Sequence, residues 1–303
     1  MQPPLIRTFS YHYRQKYGEG VGKIPVDMGQ SCPNRASGGC IFCRPASFTP
    51  SYLKNTDSVT RQVAKGKQHL LGSRFKKYLA YFQQETCTAV PVDRLLDVCR
   101  QLLGDTDCVG LILSTRPDCV EDELIVRFAE LAGATGKECL FELGGQSAHD
   151  RSLELLNRNH SFSDFSDAVK RIKKAGGLEV GGHLIFGIPG ESREDMLYSL
   201  RSVCELGVNA LKIHHLQVIR GTKLHDMYCQ GMVEPFSLDE YFRFLLAALP
   251  KIPTDITIHR LWATAHPDLL VAPKWNILAG KLSTMLRDKM EAEGIRQGVR
   301  ALW

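Results

Sequence analysis

No apolar run in the chain approaches the roughly 20 residues that a membrane-spanning helix needs. The opening "MQPPLIRTFSYHYRQKYGEG" has no apolar stretch of signal-peptide type. Both lacks lead to the expectation of a cytoplasmic protein with no membrane partner. A large charge excess is missing too. The 38 Lys and Arg against 33 Asp and Glu leave +5, which tolerates nucleic acid or an acidic partner without demanding either. There is no internal repeat, low-complexity tract or linker, and so no sign of a solenoid or of tethered domains. What is there is a globular composition, 44% hydrophobic and 23% charged over 303 residues, long enough for a large barrel or two ordinary domains.

The pattern along the chain is a repeated alternation. Short apolar or β-branched runs at 23–29, 77–83, 108–115, 138–144, 179–188 and 210–219 read as strands. Between them, 58–71, 92–103, 122–132, 166–175 and 193–206 have helical period. Pro91 stands at a helix entry, while Gly176, Gly177 and Gly207 stand at helix ends. Strands alternating with helices predict an α/β protein with a parallel sheet, either doubly wound or curled into a barrel. The chemically interesting residues fall at strand C-terminal ends, as in a barrel. After Gly221 the pattern changes to a helix at 237–252, a further strand at 254–262 and a terminal helix at 273–294. The expected organisation is an N-terminal arm (1–20), a core (21–221) and a C-terminal extension packed on the core (222–303).

"SCPNRASGGCIFCRP" follows the first expected strand and carries Cys32, Cys40 and Cys43. A structural zinc site closes with four ligands, and disulfides take thiols in pairs. Three thiolates on a four-iron cubane leave one iron free to bind a small molecule. A zinc site completed by His12 or Asp27 is the alternative. The other seven cysteines are scattered, with no second C-x-x-C pair, and read as core residues.

The cysteine loop, with "CIFC" at its end, resembles that of the radical S-adenosylmethionine (SAM) superfamily. Further along, "YLAYFQQETCT", "STRPDC", "FELGGQSAHDRSLELLNRNHS", "HLIFGIPGE", "LKIHHLQVIRGTKL" and "ITIHRLW" are similar, in order, to a bacterial and archaeal group. That group is related to the Elongator catalytic subunit and the tRNA methylthiotransferases. The resemblance implies a partial (β/α)6 TIM-type barrel, a [4Fe–4S] cluster on Cys32, Cys40 and Cys43, and SAM on the open iron. It also implies reductive cleavage of SAM to methionine and a 5′-deoxyadenosyl radical, which takes hydrogen from a substrate: a small metabolite, a peptide or tRNA. The electron would come from a reductant such as flavodoxin or ferredoxin. A non-catalytic iron–sulfur electron carrier or redox sensor is the alternative. The resemblance assigns SAM to Phe42, Gln83, Glu142 (ribose hydroxyls, or else a structural arginine), Gln146, Arg158 (SAM carboxylate), and Ile185, Gly187 and Ile188 (adenine). Arg116, Asp118, His214, His215 and Arg260 are left as candidates for the substrate.

Overall fold

The computed structural model describes residues 4–71 and 75–300. Residues 1–3 and 301–303, the outer ends of the expected arm and extension, lie outside them. The strands are β1 (Val21–Pro25), β2 (Lys77–Phe82), β3 (Cys108–Thr115), β4 (Glu138–Gln146), β5 (Glu179–Phe186), β6 (Ala210–His215), β7 (Val218–Ile219), β8 (Thr257–Arg260) and β9 (Leu270–Ala272). The helices are α1 (Phe9–Tyr17), α2 (Val59–Gly66), α3 (Val92–Leu103), α4 (Asp122–Thr135), α5 (Asp150–Leu155), α6 (Phe162–Ala175), α7 (Arg193–Glu205), α8 (Lys223–Cys229), α9 (Leu238–Ala248) and α10 (Ala279–Ala292).

Seven strands form one all-parallel sheet in the order β1-β2-β3-β4-β5-β6-β8. The sheet curls into a half barrel with β1 and β8 at its open edges. Where the sequence predicts six core strands, β8 adds a seventh, pairing in parallel with β6. The expected strand 210–219 is two: β6 ends at His215, and β7 pairs antiparallel with β9 in a separate ribbon. Between sheet and helices lies a dry layer that includes Leu111, Phe141 and Leu184 from the strands and Leu95, Phe128 and Phe165 from the helices. Such burial stabilises by about 25 cal/mol per Å² of apolar surface. Capping boxes start α6 (Ser161 with Asp164), α7 (Ser192 with Asp195) and α9 (Ser237 with Glu240), so each helix begins at a defined place beyond a strand end.

The residues expected as an N-terminal arm hold a helix, α1. Thr8 Oγ1 accepts from Tyr11 N–H at its start, and Gly18 ends it at φ 72°. Just before α1, Thr8 bridges in parallel to Ile258 of β8. Tyr13 then packs inside the barrel on Leu79, Ile112 and Leu140, which closes the N-terminal end of the interior. The C-terminal end stays open.

Candidate active site

At that open end the cysteine loop and the ends of β2 to β6 and β8 enclose a cavity of about 210 Å³. Its wall includes Cys32, Cys40 and Cys43 together with Phe42, Gln83, Arg116, Glu142, Gln146, Arg158, Ile185, His214 and Arg260. Twelve of the sixteen residues singled out from the sequence therefore meet at one place.

The loop is held mostly by side chains that the sequence reading passed over, and by Glu85, which it weighed only as a neighbour of Gln83 for the SAM amino group. Asn34 is buried, donates to Asn157 O (2.7 Å) and approaches Cys40 Sγ (3.3 Å). Asn159 donates to Asn34 Oδ1 (2.6 Å), and Asn157 donates to Ser37 O (2.9 Å) and Gly39 O (2.7 Å). Cys32 N–H donates to Glu85 Oε2 (2.9 Å), which Arg35 also grips, and Thr86 Oγ1 lies 3.2 Å from Cys32 Sγ. Glu85, Gln146, Asn157 and Asn159 all have φ between 50° and 55°, a conformation costly for Glu and Gln and tolerated by Asn. The legible signal was "NRN" after "LELL", two asparagines where a helix ought to continue.

Arg158 spends its whole fork on this scaffold. Nη1 points at Cys40 Sγ (3.1 Å), Nη2 at Gly144 O (3.2 Å) and Nε at His160 Nε2 (3.2 Å). Gly144 permits this, because a Cβ there would meet Arg158 Nη2 at 2.9 Å. Burial, with Cys40 beside it, pushes the Cys43 thiol up to about 12, so a thiolate at that place needs the charge of a metal.

Deeper in, Glu142 is almost fully buried. Its Oε1 accepts from Lys212 Nζ, Tyr81 OH and Ser114 Oγ, each at 2.7 Å. The charge partner is thus a lysine, not the arginine weighed from the sequence. Burial works to raise the Glu142 pKa, yet Lys212 and Lys23 together carry it well below the usual carboxylate value. Its Oε2 has no partner.

Four expected site residues stand off the cavity wall. His215 alternates with His214 along β6 and faces away, packed on Tyr241 and Trp275. Asp118 is drawn aside by Arg116 (2.9 Å). Gly187 does make room for a flat ring, but that ring is Phe236, 2.9 Å from where a Cβ would stand. Ile188 is sealed among Ile41, Leu156 and Leu216. Arg116, another substrate candidate, lines the cavity but turns one nitrogen, Nη2, to Asp118 and Asn159 O.

The wall fits a cluster and SAM by two tests. The first is the donor set: Cys32, Cys40 and Cys43 all line the cavity, and neither His12 nor Asp27, the alternative fourth ligands, is among its lining residues. Thiolates are the ligands that an iron–sulfur cluster takes, each on a separate iron. The second test is polar bookkeeping. Arg116 Nε and Nη1, Glu142 Oε2 and Gln146 Oε1 are buried, without a partner, on residues of this wall. Such atoms cost roughly 1–3 kcal/mol each unless a ligand satisfies them.

The family model of the radical SAM superfamily matches residues 26–203, and that of the radical SAM C-terminal domain matches 208–292. The chain therefore belongs to the radical SAM superfamily and is an enzyme whose cofactors are a [4Fe–4S] cluster and SAM. It is similar to YtqA of Bacillus subtilis (33% identity, 96% of this chain and 91% of that protein) and to YhcC of Escherichia coli K12 (34%, 89% and 87%). A tRNA uridine(34) acetyltransferase of Methanocaldococcus jannaschii is 28% identical over 91% of this chain and 52% of its own length. In fold it is similar to the solved Elp3 of Methanocaldococcus infernus (TM-score 0.64, 19% identity, 92% of this chain and 64% of that one). Methylornithine synthase is a second such neighbour (TM-score 0.59, 13%, 94% and 85%). No helix among the described residues is long and apolar enough to cross a membrane.

Proposed function

We propose that the enzyme cleaves SAM reductively and directs the resulting 5′-deoxyadenosyl radical at a C–H bond of a substrate held in the same cavity. When bound, the cluster and SAM supply the electron and the carbon–sulfur bond to be broken, leaving methionine, and hydrogen transfer then yields 5′-deoxyadenosine and a substrate radical. The supporting observation is that one cavity is lined by three cysteines and by three residues, Arg116, Glu142 and Gln146, that carry four buried polar atoms without a partner.

Cys32, Cys40 and Cys43 hold the cluster. Arg158 orients Cys40 and offsets its negative charge. With that guanidinium fully engaged, Arg116 takes the role first given to Arg158, because two of its nitrogens remain free to grip the SAM carboxylate as a fork. Gln83 accepts from the methionine ammonium, and Glu142 Oε2 accepts from a ribose hydroxyl. Phe42 and Ile185 keep the adenine end dry. The electron comes from a small acidic carrier of the flavodoxin or ferredoxin kind. Ten free cysteines suit a reducing compartment, hence the cytoplasm. A substrate in tRNA is favoured only by the likeness to the tRNA uridine(34) acetyltransferases.

The test is anaerobic reconstitution followed by dithionite and SAM. Slow release of 5′-deoxyadenosine is expected without added substrate, falling at least 100-fold in Cys40→Ala along with iron content. A Cys40→Ala protein that keeps its iron and its product yield would overturn the reading.

A further inference from the structure

The inner end of the cavity carries more positive charge than the protein itself can answer. Lys212 of β6 and Arg260 of β8 are register partners on adjacent strands and both face the cavity. Two cations side by side across a sheet repel each other. Lys212 is answered by Glu142 at 2.7 Å, but that carboxylate is already shared with Tyr81 and Ser114. The Arg260 side chain makes no hydrogen bond or ion pair among the described residues. The only other carboxylate on the wall, Glu85, is gripped by Arg35 near Cys32.

The neighbouring histidines do not make up the deficit. His183 is the register partner of Lys212 on its other side. Its Nε2 lies 2.8 Å from His214 Nε2. His214 Nδ1 lies 2.9 Å from His215 O, a carbonyl that can only accept, so His214 carries its proton on Nδ1 and His183 Nε2–H donates to His214 Nε2. Burial, helped by Lys212, holds both rings neutral, His214 down to about 3. A neutral pair walls the site without cancelling its charge. Lys23 lies close behind, its ammonium 4.3 Å from the centre of the Phe9 ring.

We infer that Arg260 and Lys212 bind an oxyanion carried by a small-molecule substrate, a carboxylate or a phosphate, in this cavity. The inference rests on the radical SAM reading of this cavity and names the class of substrate within it. An Arg fork beside an ammonium is the donor set that such a group takes. The placement also separates two anions by position: the SAM carboxylate near Arg116 and Cys32, the substrate's anion at Arg260. A nucleobase turned out of an RNA strand would bring no such charge to this depth, since its phosphate stays on the backbone.

Calorimetric titration of the reconstituted, SAM-loaded enzyme tests it, with inorganic phosphate and succinate as probes and succinamide as the uncharged control. At least one anion is expected to bind 10-fold or more tighter than succinamide, and the one preferred identifies the group. Arg260→Gln should weaken that binding 10- to 100-fold, and Arg260→Lys should recover part of it, while SAM affinity stays within twofold in both. Three results overturn the inference: neither anion outbinding succinamide, anion binding unchanged in Arg260→Gln, or SAM affinity falling as far as anion affinity does. Product assays keep the two readings apart. An enzyme that releases 5′-deoxyadenosine but ignores both anions refutes only the oxyanion site. One that binds an anion yet never cleaves SAM refutes the proposed reaction.

Discussion

The two ends of the half barrel are built from the same strands and both carry buried charge, yet they treat it differently. At the closed end Glu138 opens β4 and is surrounded: Tyr13 OH donates to Oε2 (2.8 Å), Tyr17 OH donates to Oε1, and Lys16 pairs with it at 2.9 Å. Arg7 is taken up by Thr257 and His12 nearby. At the open end, eight positions along from Glu138 on the same strand, Gln146 leaves Oε1 without a partner, and Arg116, Glu142 and Arg260 each keep unanswered capacity. Burial alone is therefore no mark of function. A carboxylate whose partners are complete has been used for folding, whereas the unpartnered atoms of Arg116, Glu142 and Gln146 belong to residues that line one cavity, and that shared place is what marks them.

The sharpest way to break that comparison is to neutralise Glu142. Removing one member of a buried pair strands the other, so Glu142→Gln should destabilise the protein by about 3 kcal/mol near neutral pH, read as a lowered denaturant midpoint. It should weaken SAM binding as well, because Glu142 lines the cavity and its buried Oε2 has no partner in the protein. The folded Glu142 pKa lies well below its ordinary value near 4.5. The stabilisation is therefore complete above pH 4.5 and is lost as pH falls toward the lower folded value. The gap between wild type and Glu142→Gln should close in the same direction. A gap that widened with acid would mean that the carboxyl is protonated in the native protein.

The closed end should respond more mildly. Tyr17→Phe removes one of three groups around Glu138 and should cost about 1 kcal/mol, with SAM binding and 5′-deoxyadenosine release unchanged. Loss of SAM binding in that variant would show that the two ends are not separable.

How much of this was legible in the sequence follows from how local each signal is. β3 at 108–115 and α3 at 92–103 come out residue for residue because period and end signals lie within the segment itself. α1 was hidden because its apolar stripe is thin and its caps, Thr8 and Gly18, lie in a polar stretch. The grouping of Cys32, Cys40 and Cys43 was plain from spacing, while their role as cluster ligands came from the family resemblance. Glu142 stood out as a carboxylate inside an apolar strand, but naming Lys212 required knowing that β4 and β6, separated by β5, face one another across the barrel interior. The alternation of β6 could have chosen His214 over His215, since neighbours on a strand point to opposite faces. Arg260 stood among the substrate candidates from the sequence, but its neighbour Lys212 did not, because that juxtaposition comes only from the pairing of β6 with β8, a strand that the sequence reads as an addition.

The finest test of the comparison is Lys23, which lies between the two ends, over the Phe9 and Tyr81 rings and beside His259. Burial pulls its pKa down to about 7, against the pull of Glu142 and with Lys212 adding to the fall. A lysine lowered in this way penalises the folded state fully below pH 7, and the penalty lifts as pH rises from 7 toward the ordinary 10.5. Lys23→Met should therefore stabilise the protein at pH 6, by under about 1 kcal/mol once solvent reaching the side chain is allowed for, and by less at pH 9. Denaturant midpoints at those two pH values decide it. Should succinate or phosphate occupy the site between Arg260 and Lys212, the gain at pH 6 ought to vanish or reverse, since Lys23 would then face an anion that rewards its charge. A benefit indifferent to the bound anion would place Lys23 with the closed end, as a residue that serves the fold.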